Sequence, residues 1–270
     1  MHAGGAVEGQ TIQINGMDMY VESEGRGEPL LLLHGMGGSS ADWAYAGRQE
    51  LAQQYRLIMP DARGHGRSTN PDQTFSMRQS ALDTLALMGK LGIRRCRAIG
   101  TSLGGNALLH MATLDPDRIE AMVLVSATMY FPGQARALMR AMPVEHQPPE
   151  AWQVMRQRHP QGDEQITLLW REQRALADSF DDMSFTPPAL ARIRADTLIV
   201  YGDRDPLYPV QMAFDMFSSI PRSALWVVPM GGHGPIYLDA APLFAKTALE
   251  FLGRGREVPD ASISESSSRA

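Results

Sequence analysis

Ala98-Ile99-Gly100-Thr101-Ser102-Leu103-Gly104-Gly105 is the stretch on which the fold turns. Before it, Arg95-Cys96-Arg97-Ala98-Ile99 reads as a short strand; after it, from Ala107 to Leu114, apolar residues recur at helical spacing. The glycines therefore sit at a strand-to-helix turn, the setting that a G-x-S-x-G nucleophile elbow requires. Such an elbow holds a serine on a tight, strained turn where only glycine lets the strand and helix backbones pass closely, so the hydroxyl protrudes above the sheet. Ser102 is thus a candidate nucleophile. Five residues make a short pattern, however, and a glycine-rich turn with an incidental serine reads it equally well.

Upstream, Thr11-Ile12-Gln13-Ile14 and Met17-Asp18-Met19-Tyr20-Val21 flank Asn15-Gly16, a two-residue connection that predicts an antiparallel hairpin. Pro29-Leu30-Leu31-Leu32-Leu33-His34 is an almost unbroken apolar run, as expected of a strand covered on both faces, and it ends in the loop His34-Gly35-Met36-Gly37-Gly38. Ser39-Ser40-Ala41-Asp42-Trp43 starts a helix predicted to run toward Gln54, with serine as its cap. Tyr55 to Pro60 is the next strand, and Asp61-Ala62-Arg63-Gly64-His65-Gly66-Arg67-Ser68 its exit loop. That loop lacks the third glycine of a dinucleotide fingerprint and no Gly-Lys-Ser/Thr closes it, so it reads as structural rather than phosphate-binding. A helix over Ser76 to Leu91 leads into the opening stretch.

Downstream, Ile119 to Val125, Thr197 to Gly202 and Ala224 to Pro229 read as strands, with helices over Val210 to Ser218 and Asp239 to Leu252. Strands alternating with helices predict right-handed crossovers and a mostly parallel sheet. The rhythm stops between Ala127 and Arg192, where proline-punctuated helical segments are expected at Gly133 to Ala141, Pro149 to Arg158 and Asp163 to Ala177. The expected organisation is a core over 1–126 and 193–253, an inserted helical cap over 127–192 and a disordered tail over 254–270. The Met, Trp and Leu residues of the cap divide between helix packing, the expectation for most of them taken singly, and a pocket lining; Trp152, Trp170, Met139 and Met142 suggest an apolar pocket with a broad acyl or alkyl preference.

With 270 residues, 44% of them hydrophobic, the chain can bury a large core. A net charge of −5 without long runs of one sign argues against nucleic acid as a partner. Arg94, Arg95 and Arg97 read as a solvated lead-in to a strand. Cys96 is the only cysteine, which excludes an internal disulfide and a cysteine-based zinc site, and it reads as a small buried residue. No apolar stretch approaches the roughly 18 residues of a membrane span, and Met1 to Gln10 has no signal-peptide pattern. The expectation is a soluble, cytoplasmic protein without a membrane partner.

A serine hydroxyl needs a base within hydrogen-bond reach and a third group to orient that base. In the chain order serine, acid, histidine, six of the seven histidines precede every acid of the later strand-exit loops, leaving His233 in Gly231-Gly232-His233-Gly234. Its position directly after a strand lets the ring reach over the carboxyl edge of the sheet, where ligands gather in open α/β folds. Asp203 and Asp205 share one loop, and either can supply the orienting carboxylate. Charge developing on a substrate oxygen needs preorganised donors, and the backbone N–H groups of Met36 and Leu103 are placed for an oxyanion hole. Asn106, near the elbow, reads as capping or bonding within its own helix.

These segments together resemble the α/β-hydrolase fold superfamily over roughly residues 11–252. His34-Gly35-Met36-Gly37 is similar to its H-G-x-G oxyanion loop, Asp61 to Ser68 to its D-x-R-G-x-G-x-S loop, and Gly100 to Gly104 to its elbow. Gly202-Asp203-Arg204-Asp205 through Pro209 is similar to the acid loop, in which the carboxylate falls on the second aspartate, and Gly232-His233 to the histidine loop. The resemblance therefore implies a triad of Ser102, Asp205 and His233 and hydrolysis of a small-molecule carboxylic ester or lactone through an acyl-enzyme, with no metal or organic cofactor. Serine in the elbow departs from the related dehalogenases and epoxide hydrolases, which use aspartate there. Two other functions fit the same residues: carbon–carbon bond hydrolysis of ring-fission diketones, and ligand reception on a retained hydrolase fold.

Overall fold

The computed structural model describes residues 7–254, so the tail expected over 254–270 lies, apart from Arg254, outside the described residues. Strands β1 (Glu8–Ile14) and β2 (Met17–Glu24) form the expected hairpin, with Asn15 and Gly16 both at positive φ, as a tight two-residue turn demands. The chain continues through β3 (Pro29–Leu33), α1 (Arg48–Ala52), β4 (Arg56–Pro60), α2 (Met77–Lys90), β5 (Cys96–Thr101), α3 (Leu103–Leu114) and β6 (Ile119–Val125). After an insertion come β7 (Asp196–Gly202), α8 (Val210–Ser219), β8 (Ser223–Val228) and α9 (Ala241–Gly253). The eight strands make one sheet in the order β1-β2-β4-β3-β5-β6-β7-β8; only the pairs involving β2 are antiparallel. Every strand from β3 onward runs parallel, so their exit loops gather along one edge.

Alternation along the strands divides the core into two layers. Leu30 and Leu32 pack with Trp43, Phe244 and Ala248 on one face, while Leu31 and Leu33 pack with Met88, Leu108 and Met216 on the other.

The single helix expected from Ser39 to Gln54 is instead a 3₁₀ segment, Ser40–Tyr45, and the short α1. They are separated at Gly47, which has a φ of 78° and lies so close to α9 that an added Cβ would sit 2.6 Å from the Ala245 Cβ. Arg97 is not solvated either. It is 4% exposed and donates to the Leu252 carbonyl, Glu28 and Glu120, so three charge-assisted or carbonyl contacts compensate its burial. Cys96 beside it is buried, and burial pushes its thiol up to about 12.

Between β6 and β7 the chain forms α4 (Gly133–Ala141), α5 (Pro149–Arg158), α6 (Asp163–Ala175) and α7 (Pro187–Leu190). This insertion leaves and returns through a narrow neck, where Tyr130 bridges Ser184 and the Phe185 amide donates to the Met129 carbonyl at 2.9 Å. Val144, Met155, Ile166, Leu169 and Trp170 give it a small core of its own. Side chains also pin it to the loop after β4: Gln165 donates to the carbonyls of Gly64 and Gly66, and Gln161 to that of Ser68.

Candidate active site

Ser102 stands between β5 and α3 with a φ of 52° and a ψ of −109°, a conformation rarely adopted by a residue with a Cβ. Its neighbours explain why the chain can make this turn. A Cβ on Gly100 would lie 2.4 Å from the Gly104 carbonyl, and one on Gly104 would lie 2.1 Å from the Leu33 carbonyl. The elbow therefore presses strand, helix and the next strand together at points where only hydrogen atoms fit.

At the ends of β7 and β8 the other two residues meet. The His233 Nδ1 is 2.7 Å from Asp205 Oδ2, and the other carboxylate oxygen accepts from the Leu207 and Tyr208 amides at 2.8 and 3.1 Å. A carboxylate only accepts, so Nδ1 carries the proton and Nε2 of the neutral ring keeps its lone pair. Asp203 is exposed, and its side chain lies 3.9 Å from the Arg204 guanidinium. The histidine loop is itself fixed, because the Gly234 amide donates to Ser126 Oγ at the end of β6. Ser102 and His233 line one cavity of about 520 Å³, although no hydrogen bond joins their side chains among the described residues. Hydrogen bonds between a catalytic hydroxyl and an imidazole are often long in a free enzyme and tighten in the substrate complex.

Met36 lines the same cavity, whereas the Leu103 side chain is buried away from it at the start of α3. Neither of their N–H groups takes part in the turn and loop hydrogen bonds of the described residues. The loop carrying Met36 is held from below. The His34 Nε2 accepts from the Ala62 amide, and Asp61 accepts from the Ser40 and Arg67 amides, so the Asp61 to Ser68 loop is a structural brace.

Two residues acquire roles in the site that their sequence context did not disclose. Tyr208 is buried with its ring edge against His233, centroids 5.3 Å apart, and its hydroxyl faces the Ser102 and Asn106 side chains. Burial raises this phenol, so it stays protonated beside the serine. The Asn106 side chain reaches outside its helix: its Oδ1 accepts from the Thr128 amide at the start of the insertion.

The pocket lining also differs from expectation. Trp152 and Trp170 stack edge to face at 4.5 Å in the insertion's own core, Met142 packs against that core, and Met139 belongs to the main one. Helices that leave the sheet must bury an apolar face among themselves, and this consumes the large residues. The insertion presents Arg158 and Gln173 to the cavity instead.

The profile described as "Alpha/beta hydrolase family" matches residues 30–247, which include Ser102, Asp205 and His233. The chain belongs to the alpha/beta hydrolase family. A Pseudomonas savastanoi pv. phaseolicola protein provisionally named carbamate hydrolase RutD is 30% identical to this hydrolase, over 83% of this chain and 93% of the relative. The 2-hydroxymuconate semialdehyde hydrolase of Pseudomonas putida is 26% identical over 90% and 94% of the two chains. Among solved structures, a mutant of the meta-cleavage product hydrolase CumD shares the fold of this hydrolase with a TM-score of 0.76 at 22% identity, covering 91% of this chain and 98% of the other. No helix among the described residues of the hydrolase is long and apolar enough to cross a membrane.

Proposed function

We propose that this hydrolase cleaves carboxylic esters or lactones through an acyl-enzyme on Ser102. The observation that carries the reading is the buried Asp205 carboxylate 2.7 Å from His233 Nδ1, with the imidazole and Ser102 lining one cavity. In this reading His233 Nε2 takes the serine proton as the hydroxyl attacks the carbonyl carbon, then returns it to the leaving alcohol. It next draws a proton from water, which attacks the acyl carbon; as the bond from that carbon to Ser102 Oγ breaks and the acid leaves, the imidazolium returns the proton to Oγ. Asp205 keeps the ring in the required tautomer and stabilises the imidazolium. The N–H groups of Met36 and Leu103 receive the developing oxyanion, each contributing roughly 3 to 4 kcal/mol to the transition state. Residues 127–192 act as the cap over this chemistry.

Hydrolysis of 4-nitrophenyl butyrate tests the proposal. Wild type should turn it over, and Ser102→Ala should lose at least about a thousandfold in kcat. Equal rates in the two proteins would remove the acyl-enzyme, and a wild type with no turnover would favour the receptor reading. A second reading, hydrolysis of a carbon–carbon bond, is favoured by the name of the Pseudomonas putida relative. Comparing kcat/KM for ester and ring-fission substrates in one assay separates the two.

A further inference from the structure

The cavity wall opposite the sheet carries one cation, and its surroundings are built around it. Arg158 ends α5, with about a third of its side chain exposed (35%), and its Nε donates to Asp42 Oδ1 at 2.8 Å. Asp42 is committed on both oxygens, since Oδ2 accepts from the Ser39 amide at 3.3 Å. It also fills the space beside Gly38, where a Cβ would lie 2.5 Å from that oxygen. Asp42 is thus held so that it meets only one edge of the guanidinium. The two Nη groups of Arg158 have no protein acceptor among the described residues.

Other arginines of the insertion are used differently. Arg156 closes a two-point fork on Asp163 through Nε and Nη2, and Arg140 reaches Asp178 through the same pair of nitrogens. Those side chains are satisfied on the surface, whereas Arg158 keeps its paired Nη edge available on the wall of a cavity shared with Ser102 and His233. The backbone behind it is fixed as well. The next residue, His159, accepts from the Gly66 amide at 2.9 Å and donates to the Gly37 carbonyl at 3.1 Å, and Met155 packs against Gly37. Gln173, the other lining residue from the insertion, has a side-chain amide that makes no hydrogen bond among the described residues.

We infer that the substrate of this hydrolase carries a free carboxylate, bound by the Nη edge of Arg158 while the scissile carbonyl lies at Ser102. The inference rests on the acyl-enzyme reading and narrows its substrate to half-esters of dicarboxylic acids or their close analogues. A planar guanidinium fork matches a carboxylate in two parallel hydrogen bonds, and Asp42 orients that fork without blocking it. Among the described residues that line the cavity Asp42 is the one carboxylate, and it is paired with Arg158.

The test compares 4-nitrophenyl half-esters of glutaric, adipic and pimelic acids with the corresponding methyl-capped neutral diesters. The expected result is a kcat/KM at least tenfold higher for one or more half-esters than for its neutral partner, carried mainly by KM. Arg158→Gln should bring that ratio near one, Arg158→Lys should leave it intermediate, and Arg156→Gln on the same helix should leave it unchanged. A ratio near one in wild type, or a ratio that survives Arg158→Gln, overturns the inference. Because Ser102→Ala abolishes turnover of both esters if the acyl-enzyme reading holds, loss of charge preference alone leaves that reading standing. Should neither ester turn over, calorimetric binding of monomethyl adipate decides: at least tenfold weaker binding to Arg158→Gln supports the carboxylate site, and equal affinity overturns it.

Discussion

Asp203 and Asp205 lie two positions apart and end in opposite circumstances. Asp205 is 8% exposed and shares its oxygens among His233 and two amides, whereas Asp203 is exposed next to Arg204. The separation belongs to the turn: the amides of Leu207 and Tyr208 fold back on Asp205 alone. Asp205→Asn should therefore cost about ten-thousandfold in kcat for the nitrophenyl ester, while Asp203→Asn should change it less than threefold. Steady-state kinetics of the two variants checks this, and comparable losses would return the acid to an open question. The pair also marks a limit of reading residues singly, because aspartate suits such turns with or without a histidine partner. Arg97 makes the same point in reverse. A charged residue among arginines reads as solvated, and only the tertiary convergence of Glu28, Glu120 and the Leu252 carbonyl makes its burial tolerable.

At the scale of elements, the site depends on backbones touching. Gly202 ends β7 where a Cβ would fall 2.2 Å from the Gly231 carbonyl and 2.3 Å from that of Gly232, the two residues that precede His233. Gly202→Ala should destabilise the fold by about 1–3 kcal/mol, as overpacking does, and should lower ester turnover further by displacing the histidine loop. Urea midpoints and kcat measured on the same variant separate the two effects. Strand, loop and helix order were legible because the inner strands are short apolar runs bounded by turn-forming residues, and these signals are local. The order of the strands, with β4 lying outside β3, was not legible, because no one segment carries the identity of its sheet neighbours. What the insertion buries was not legible. Helical spacing marks Trp152 and Trp170 as apolar-face residues, but whether that face meets a ligand or another helix is decided by packing between segments far apart in sequence.

Across the whole molecule, buried titratable groups tie the insertion to the sheet and make their joint stability sensitive to pH. Burial lowers His159 from 6.5 to about 4, and it also lowers His65, which is buried beside His34 and His159. A histidine depressed in the fold contributes stability that is complete above pH 6.5 and is lost as pH falls toward 4, at roughly 1.4 kcal/mol per unit for a single group. Glu172, which accepts from Asn70, is raised from 4.5 to about 7 by burial and works in the opposite sense, its contribution complete below pH 4.5 and lost as pH rises to about 7. The comparison that isolates His159 is wild type against His159→Gln, with unfolding free energies from urea at pH 7 and pH 5. The advantage of wild type should shrink on acidification, and an advantage that is constant or growing contradicts the assigned shift.

The neck at Tyr130 and Ser184 carries a different consequence. Residues 131–183 form a loop whose ends are already clasped before any of its helices is considered. Doubling or halving such a loop changes its closure entropy by only about 0.6 kcal/mol. The stem can therefore accept grafts of very different size while Ser102, Asp205 and His233, all on the far side of the clasp, keep their positions. Exchange of the segments between the clasped ends, with Met139 and the other residues that join the main core retained, alters what the cavity admits and leaves the sheet in place.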